Sequence, residues 1–189
     1  MGQKEKKAID PERGRWAISA KVGPAFPTQH FLNGVNSSID TSVDSQVSYR
    51  ITDQIETGFE FEWESHSVAN GGFDLGSLDV FSLMSFVAYH FWNPDLFSFY
   101  VELGAGANIN TFENSAFINS LTPGASFVPG NTFALRPSGG VDCFVMKSLA
   151  LNGELGWKWN EGNFTSNVIT NGNFDASSFY MLFGAKYYF

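Results

Sequence analysis

Charge is scarce in this chain. Asp, Glu, Lys and Arg make up 16% of its 189 residues, against about 25% in an ordinary soluble domain. Bases are scarcer than acids: 11 Lys plus Arg against 19 Asp plus Glu leave a formal net charge of −8. That balance argues against nucleic acid as a partner, because a phosphate backbone demands a basic face. Cysteine occurs once, as Cys143, which excludes an internal disulfide and every multi-cysteine metal site. Long apolar runs are missing too. The most apolar stretch, residues 80–92, is interrupted by Ser82, Ser85 and His90, whereas a spanning helix needs about twenty nearly unbroken apolar residues. No secretory signal is visible, since Met1 leads straight into a charged segment. Residues 1–14 read as a flexible tail and 15–189 as a single domain.

What the chain has instead is rings. Phe, Trp and Tyr make up 16% of it, with 20 Phe, at a mean hydropathy of only −0.10. Periodicity explains the combination. Phe179, Met181, Phe183, Ala185, Tyr187 and Phe189 share one parity, and Ser178, Tyr180, Leu182, Gly184, Lys186 and Tyr188 the other. Ile55, Phe59, Phe61 and Trp63 alternate with Glu56, Glu60, Glu62 and Glu64 in the same way. Alternation sustained over ten or so residues predicts long strands with one apolar and one polar face. Eight are expected, at 15–26, 39–50, 55–66, 77–91, 97–111, 131–146, 149–162 and 176–189. The fourth is the least clean, because both its faces look apolar. At about twelve residues these strands are long for a soluble sheet and suit a tilted bilayer crossing.

The connections alternate in length. Tight turns fall at 51–54, 93–96 and 146–148, and long polar connections at 27–38, 67–76, 112–130 and 163–175. That is an up-and-down meander with a turn end and a loop end, the plan of an outer-membrane barrel with short periplasmic turns and longer external loops. The alternative is a soluble lipocalin-like barrel, apolar inside. Three features favour the inverted arrangement. The charged parity is rich in glycine and carries both signs, as a filled polar interior would. The apolar parity places Trp16, Trp63, Trp157, Trp159, Tyr187 and Phe189 near strand ends, where interfacial rings belong. The chain also ends on an aromatic in phase with the apolar face.

The expected interior set is Lys21, Asp44, Arg50, Glu56, Glu60, Glu62, Glu64, Glu102, Arg136, Asp142, Glu154, Lys158 and Lys186. An eight-stranded barrel is just wide enough for side chains to fill it. Unpaired charges there would be costly, so these bases should be bridged by these acids, with Arg50 and Glu56 as the nearest local pair. The bland reading is a structural network; an ion path through it is the sharper alternative.

The segments 49–59, 99–108 and 139–151 resemble the hairpins of small outer-membrane β-barrels, the superfamily of the OmpA transmembrane domain, OmpW and the opacity-type adhesins. The resemblance implies an all-β, eight-stranded antiparallel up-and-down transmembrane barrel in a Gram-negative outer membrane, with both termini periplasmic. It implies lipid and lipopolysaccharide as surroundings. The terminal Tyr187 and Phe189 look like the signal read by the barrel-assembly machinery. Such motifs concern turns and packing, so the likeness says little about function. No peptidoglycan-binding domain is expected after Phe189.

Few residues point to chemistry. Ser65-His66-Ser67, close to Glu64, brings lipid A-modifying barrels to mind, but neighbouring residues on a strand face opposite ways; a rim histidine in polar surroundings is the expectation, and no enzyme, cofactor or metal site is read here. Pro137, mid-strand on the lipid-facing parity and followed by Ser138, Gly139 and Gly140, removes a ladder donor. It marks either a bulge that tightens curvature or a lateral gate of the kind the OmpW resemblance implies, passing small hydrophobic molecules. The third long loop carries Phe117, Ile118, Leu121, Phe127 and Val128, a binding surface for a host or surface ligand or a lid over the barrel mouth. Cys143, on the lipid-facing parity, reads as a small inert apolar residue.

Overall fold

The computed structural model describes residues 16–28, 36–92, 96–168 and 172–189. Residues 1–15, most of the first long loop with His30, positions 93–95 of the second turn and 169–171 of the fourth loop lie outside the described residues. Eight long strands form the wall: β1 (Trp16–Pro27), β2 (Asp40–Arg50), β3 (Ile55–Asn70), β4 (Phe73–Trp92), β5 (Phe97–Asn114), β6 (Thr132–Phe144), β7 (Leu149–Lys158) and β8 (Ser178–Tyr188). Each pairs antiparallel with the next. β8 then returns to β1, from Ala17 opposite Tyr188 to Pro27 opposite Ser178, and Trp16 and Phe189 exchange backbone hydrogen bonds at 3.3 and 2.9 Å. The sheet is a closed barrel.

Alternation places the apolar parity outside. Ile18, Val22, Val47, Phe59, Leu83, Val101, Leu103, Leu151 and Phe183 all point outward and are about half exposed. A contiguous apolar belt of this extent is far beyond what a soluble monomer shows, so the lipocalin-like alternative fails. Rings gather at both rims of the belt. Trp16 lies against Tyr49 (centroids 5.0 Å) and Tyr187 against Phe189 (6.3 Å) at the turn end, and Phe26 faces Phe179 (6.4 Å) near the loop end. No described helix is long and apolar enough to cross a membrane; the strands cross it.

The wall rises higher on one side than the spacing suggests. The connection expected at 67–76 is the tip of a continuous hairpin: β3 and β4 stay paired as far as Asn70 opposite Phe73. Gly71 (φ 57°) and Gly72 (φ 87°) form the two-residue turn, a left-handed pair that matches strand twist and that glycine adopts without penalty. The two apolar faces of β4 also gain a reason. Phe81, Leu83 and Val87 face lipid, while Leu78, Val80, Met84, Phe86 and Ala88 are buried inside. At its other flank the expected strand 149–162 is interrupted: β7 ends at Lys158, and residues Glu161–Ser166 form a separate strand. That strand pairs with Gly172–Asp175 on one side and with Phe127–Pro129 of the third loop on the other. A short helix, α1 (Ala116–Leu121), completes the third loop.

Replacing Gly71 and Gly72 together by Val should destabilise the hairpin by about 2–4 kcal/mol, at about 1–2 kcal/mol for each residue forced into the left-handed region. Urea unfolding of the protein in lipid vesicles reads this; an unchanged midpoint would mean that the turn relaxes to another form.

Candidate functional site

The barrel interior brings the expected charged set together. All thirteen side chains are buried: Lys21, Asp44, Arg50, Glu56, Glu60, Glu62, Glu64, Glu102, Arg136, Asp142, Glu154, Lys158 and Lys186. Arg136 on β6 is the hub. Its guanidinium contacts Asp44 (3.0 Å), Glu60, Glu62 (3.7 Å) and Glu154 (2.9 Å), and stacks 4.2 Å above the Tyr180 ring. A planar fork suits several carboxylates and a ring face at once. Lys21 on β1 bridges Asp44 (3.1 Å) and Glu154 (2.5 Å). Toward the loop end, Lys158 reaches Glu64 (2.7 Å) and Glu62 (3.6 Å). Toward the turn end, Lys186 bonds Glu56 and lies 3.9 Å from Asp142. The local pair Arg50–Glu56 forms at 3.4 Å. Glu102 alone of the acids has no ion pair among the described residues; the Gln46 amide donates to it at 3.1 Å.

Neutral polar groups, absent from the expected set, link these clusters. Tyr100 Oη donates to Glu154 (3.0 Å) and accepts from Asn152 (3.0 Å), whose amide also reaches Asp142 (2.6 Å). Tyr188 Oη donates to Asp142 at 2.9 Å. Their inward parity was the available signal. Above Lys158, Asn108, Asn110, Thr132 and Asn160 form a further polar layer, with Asn160 donating to Asn110 at 2.8 Å and Thr132 to Asn160 at 2.5 Å. An apolar layer lies toward the loop end: Val68, Leu78 and Val80 from the raised wall meet Phe164, Phe174 and Ala176 from the fourth loop, with Leu75 and Phe112 against them.

Among the described residues, His66 and His90 both pack inside the barrel. His66, toward the loop end of β3, is buried within the barrel, with Nε2 3.2 Å from Glu64. Ser67 faces outward, so it makes no pair with His66. His90 lies between Ser98 Oγ (2.8 Å from Nδ1) and Glu56 (3.3 Å from Nε2). The groups stand in the Ser–His–acid order of a hydrolytic triad but with the two ring nitrogens exchanged, and all three side chains are at most 1% exposed, so no substrate carbonyl reaches Ser98. The constellation is a packed polar cluster.

Pro137 points outward. It keeps its place opposite Leu103 in the β5–β6 ladder. On the β7 side the ladder runs from Phe144 only to Ser138, opposite Gly156, and reappears as a single bridge from Leu135 to Trp159. Both pairs lie on one register, so no residue is inserted: proline's missing N–H removes a rung without making a bulge. Gly139 and Gly140 remain paired with Leu155 and Glu154, and a Cβ on Gly140 would meet the Tyr100 hydroxyl at 2.4 Å, so this glycine makes room for an interior ring. Tyr187 and Phe189 both face outward, and Cys143 is free and partly exposed. At the loop end, a cavity of about 360 Å³ lies between β5 and the third loop, lined by Asn110, Phe112, Asn114, Ala125, Phe127 and Val128 among others. No group of His, Cys, Asp or Glu among the described residues is arranged to hold a metal.

No protein-family model and no curated protein sequence matches the chain. Solved structures do. Outer membrane protein OprG from Pseudomonas aeruginosa is similar over 94% of this chain and 97% of that one, at 13% identity and a TM-score of 0.75. Outer membrane protein AlkL, determined in lipid bilayers, is similar over 94% and 90%, at 16% identity and a TM-score of 0.65. Outer membrane protein W of E. coli is similar over 94% and 98%, at 16% identity and a TM-score of 0.57. At such identities the likeness establishes the fold: an eight-stranded antiparallel barrel of the small outer-membrane type.

Arg136→Met should destabilise the protein by about 3–5 kcal/mol, because it strands several buried carboxylates. Urea unfolding in lipid vesicles measures it. A loss below about 1 kcal/mol would show that those carboxylates are neutralised without Arg136.

Proposed function

We propose that this protein is a Gram-negative outer-membrane barrel whose wall acts as an anchor and whose loop end is a binding surface for a partner outside the cell. The observation that carries this reading is the filled interior. Charged and polar layers occupy it from Glu56 to Asn160, and the apolar cluster around Leu78 and Phe174 covers them. An eight-stranded lumen filled by side chains in this way is a poor route for bulk permeation. The loop end, by contrast, is organised. Ser115 accepts from Ile118 to cap α1 and donates to the Asp74 carbonyl, tying the third loop to the β3–β4 tip. Asn167 then joins the fourth loop to the third through Ser126 and Gly124. Binding to a preorganised surface loses less entropy than binding to free loops. In this setting both termini are periplasmic, lipopolysaccharide surrounds the belt, and the outward Tyr187 and Phe189 suit recognition by the barrel-assembly machinery.

A second reading has its own support. The rung lost at Pro137 weakens the β6–β7 wall on the lipid side, and the cavity beside Phe112 and Phe127 opens at the loop end. A conduit for small hydrophobic molecules would join these two features. It would have to part the Asn108–Thr132–Asn160 contacts that separate them.

Planar-bilayer recordings of the pure protein should show no steady conductance; porin-sized steps would overturn the anchor reading. Pro137→Ala restores a ladder donor, so the conduit reading requires slower uptake of hydrophobic solutes into liposomes by this variant. Unchanged uptake removes that reading.

A further inference from the structure

The placement of the bases is as informative as their number. Five precede β1 (Lys4, Lys6, Lys7, Arg13 and Arg15) and Lys147 lies in the last tight turn. The other five are the buried Lys21, Arg50, Arg136, Lys158 and Lys186. Residues 22–49, 51–135 and 159–185 contain no Lys or Arg at all, and these segments supply every loop of the outer end. The same end presents Asp40, Asp74, Asp79, Glu113, Glu161 and Asp175, each exposed or half-exposed. An outer face with acids and no base attracts cations and repels anions, an effect that governs encounter and orientation. From these loops no direct ion pair to a lipid phosphate can form.

A second feature lies within that face. Phe73 at the hairpin tip stacks on Phe117 of α1, with centroids 5.3 Å apart and planes 15° apart. Despite the stacking, Phe73 is 59% and Phe117 40% exposed, and Leu121 one turn along α1 is 65% exposed. Exposed Asp74 follows Phe73 directly, its Oδ1 accepting from the Gly76 N–H at 3.0 Å, and exposed Glu113 stands two residues before the capping Ser115, so each element of the patch carries an acid close in sequence. The two elements are held together through Ser115, which bonds the Asp74 carbonyl at 2.8 Å and donates from its backbone N–H to the Leu75 carbonyl at 3.1 Å. A stacked aromatic pair on elements that also carry two acids and no base has the make-up of an interface centre with a selective rim.

We infer that the tip formed by Phe73, Phe117 and Leu121, with Asp74 and Glu113 beside it, docks a cationic polypeptide segment that carries apolar side chains. The inference rests on reading the loop end as a binding surface and names the class of partner that surface takes. The apolar side chains cover the stacked rings, and the basic ones meet the two carboxylates.

The test uses the full chain in nanodiscs of zwitterionic phosphatidylcholine, with empty discs as the baseline. The probes are a short synthetic peptide of alternating Lys and Phe and its counterpart with Glu for Lys. The Lys peptide should bind above baseline and the Glu peptide should not. Raising salt to about 1 M, where the Debye length is about 3 Å, should abolish binding. Asp74→Asn with Glu113→Gln should weaken it about tenfold, and Phe117→Ala at least as much; both are surface changes far from the interior network, and thermal unfolding checks that each variant is folded. If the Glu peptide binds equally and Phe117→Ala removes it, the binding surface stands and the cationic partner is overturned. If neither peptide exceeds the baseline and the variants behave as the parent, the docking tip is overturned, while the anchor reading, carried by the filled interior, stands or falls on the conductance recordings.

Discussion

Everything in this structure follows from the closure of β8 onto β1. Inside hydrocarbon a backbone N–H or C=O has no water to turn to, so an open sheet edge is excluded. Ten or so residues of each terminal strand meet in register, from Trp16 beside Phe189 up to Pro27 beside Ser178. Once eight strands close, the interior diameter is set, and it is one that side chains fill. Half of each strand must then point into that narrow space. The charges placed there have no bulk water, and each is kept only by facing an opposite charge or a hydrogen-bonding group.

Arg136 shows how closure and pairing depend on each other. Its partners come from β2, β3 and β7, strands spread around the circumference. Asp44 and Glu60 could not be reached from β6 in a flat sheet, whereas Glu154 stands on the neighbouring strand. The network therefore ties opposite walls across the lumen, while the ladders tie neighbours around it. Pro137, next in sequence, weakens one ladder at the height where the cross-lumen ties are densest. The layers above change character because the surroundings do: beyond the belt the raised β3–β4 hairpin no longer meets lipid, and its inner face packs on loop residues instead.

Legibility in the sequence differed between the two ends of the barrel. At the turn end the strand limits match within about two residues, because turn chemistry is local: Thr52 accepts from Gln54 and Ile55 within one tight turn. At the loop end the spacing misled. Residues 67–76 read as loop because their composition is polar, yet two left-handed glycines let the hairpin continue. The break after Lys158 was invisible because its cause is non-local: residues 161–166 leave the barrel to pair with segments from two loops. His66 and His90 were similarly obscure. Parity places each inside, but their partners Glu64, Ser98 and Glu56 are fixed by cross-strand distances.

Within the candidate site, the identity of the interior charges was readable and their pairing was not. Period-two alternation is a property of each strand alone, so the sequence by itself determined which face carries Lys21, Glu60, Arg136 or Glu154 and that eight strands exist; that the apolar face points outward was decided by the closed structure. Adjacent-strand pairs such as Arg50–Glu56 followed from one tight turn. Which base meets which acid across the lumen, as Lys186 with Glu56 or Lys158 with Glu64, was decided only by the tertiary structure. Those contacts depend on the stagger with which the sheet closes, and that stagger is a property of all eight ladders together, written in no single segment.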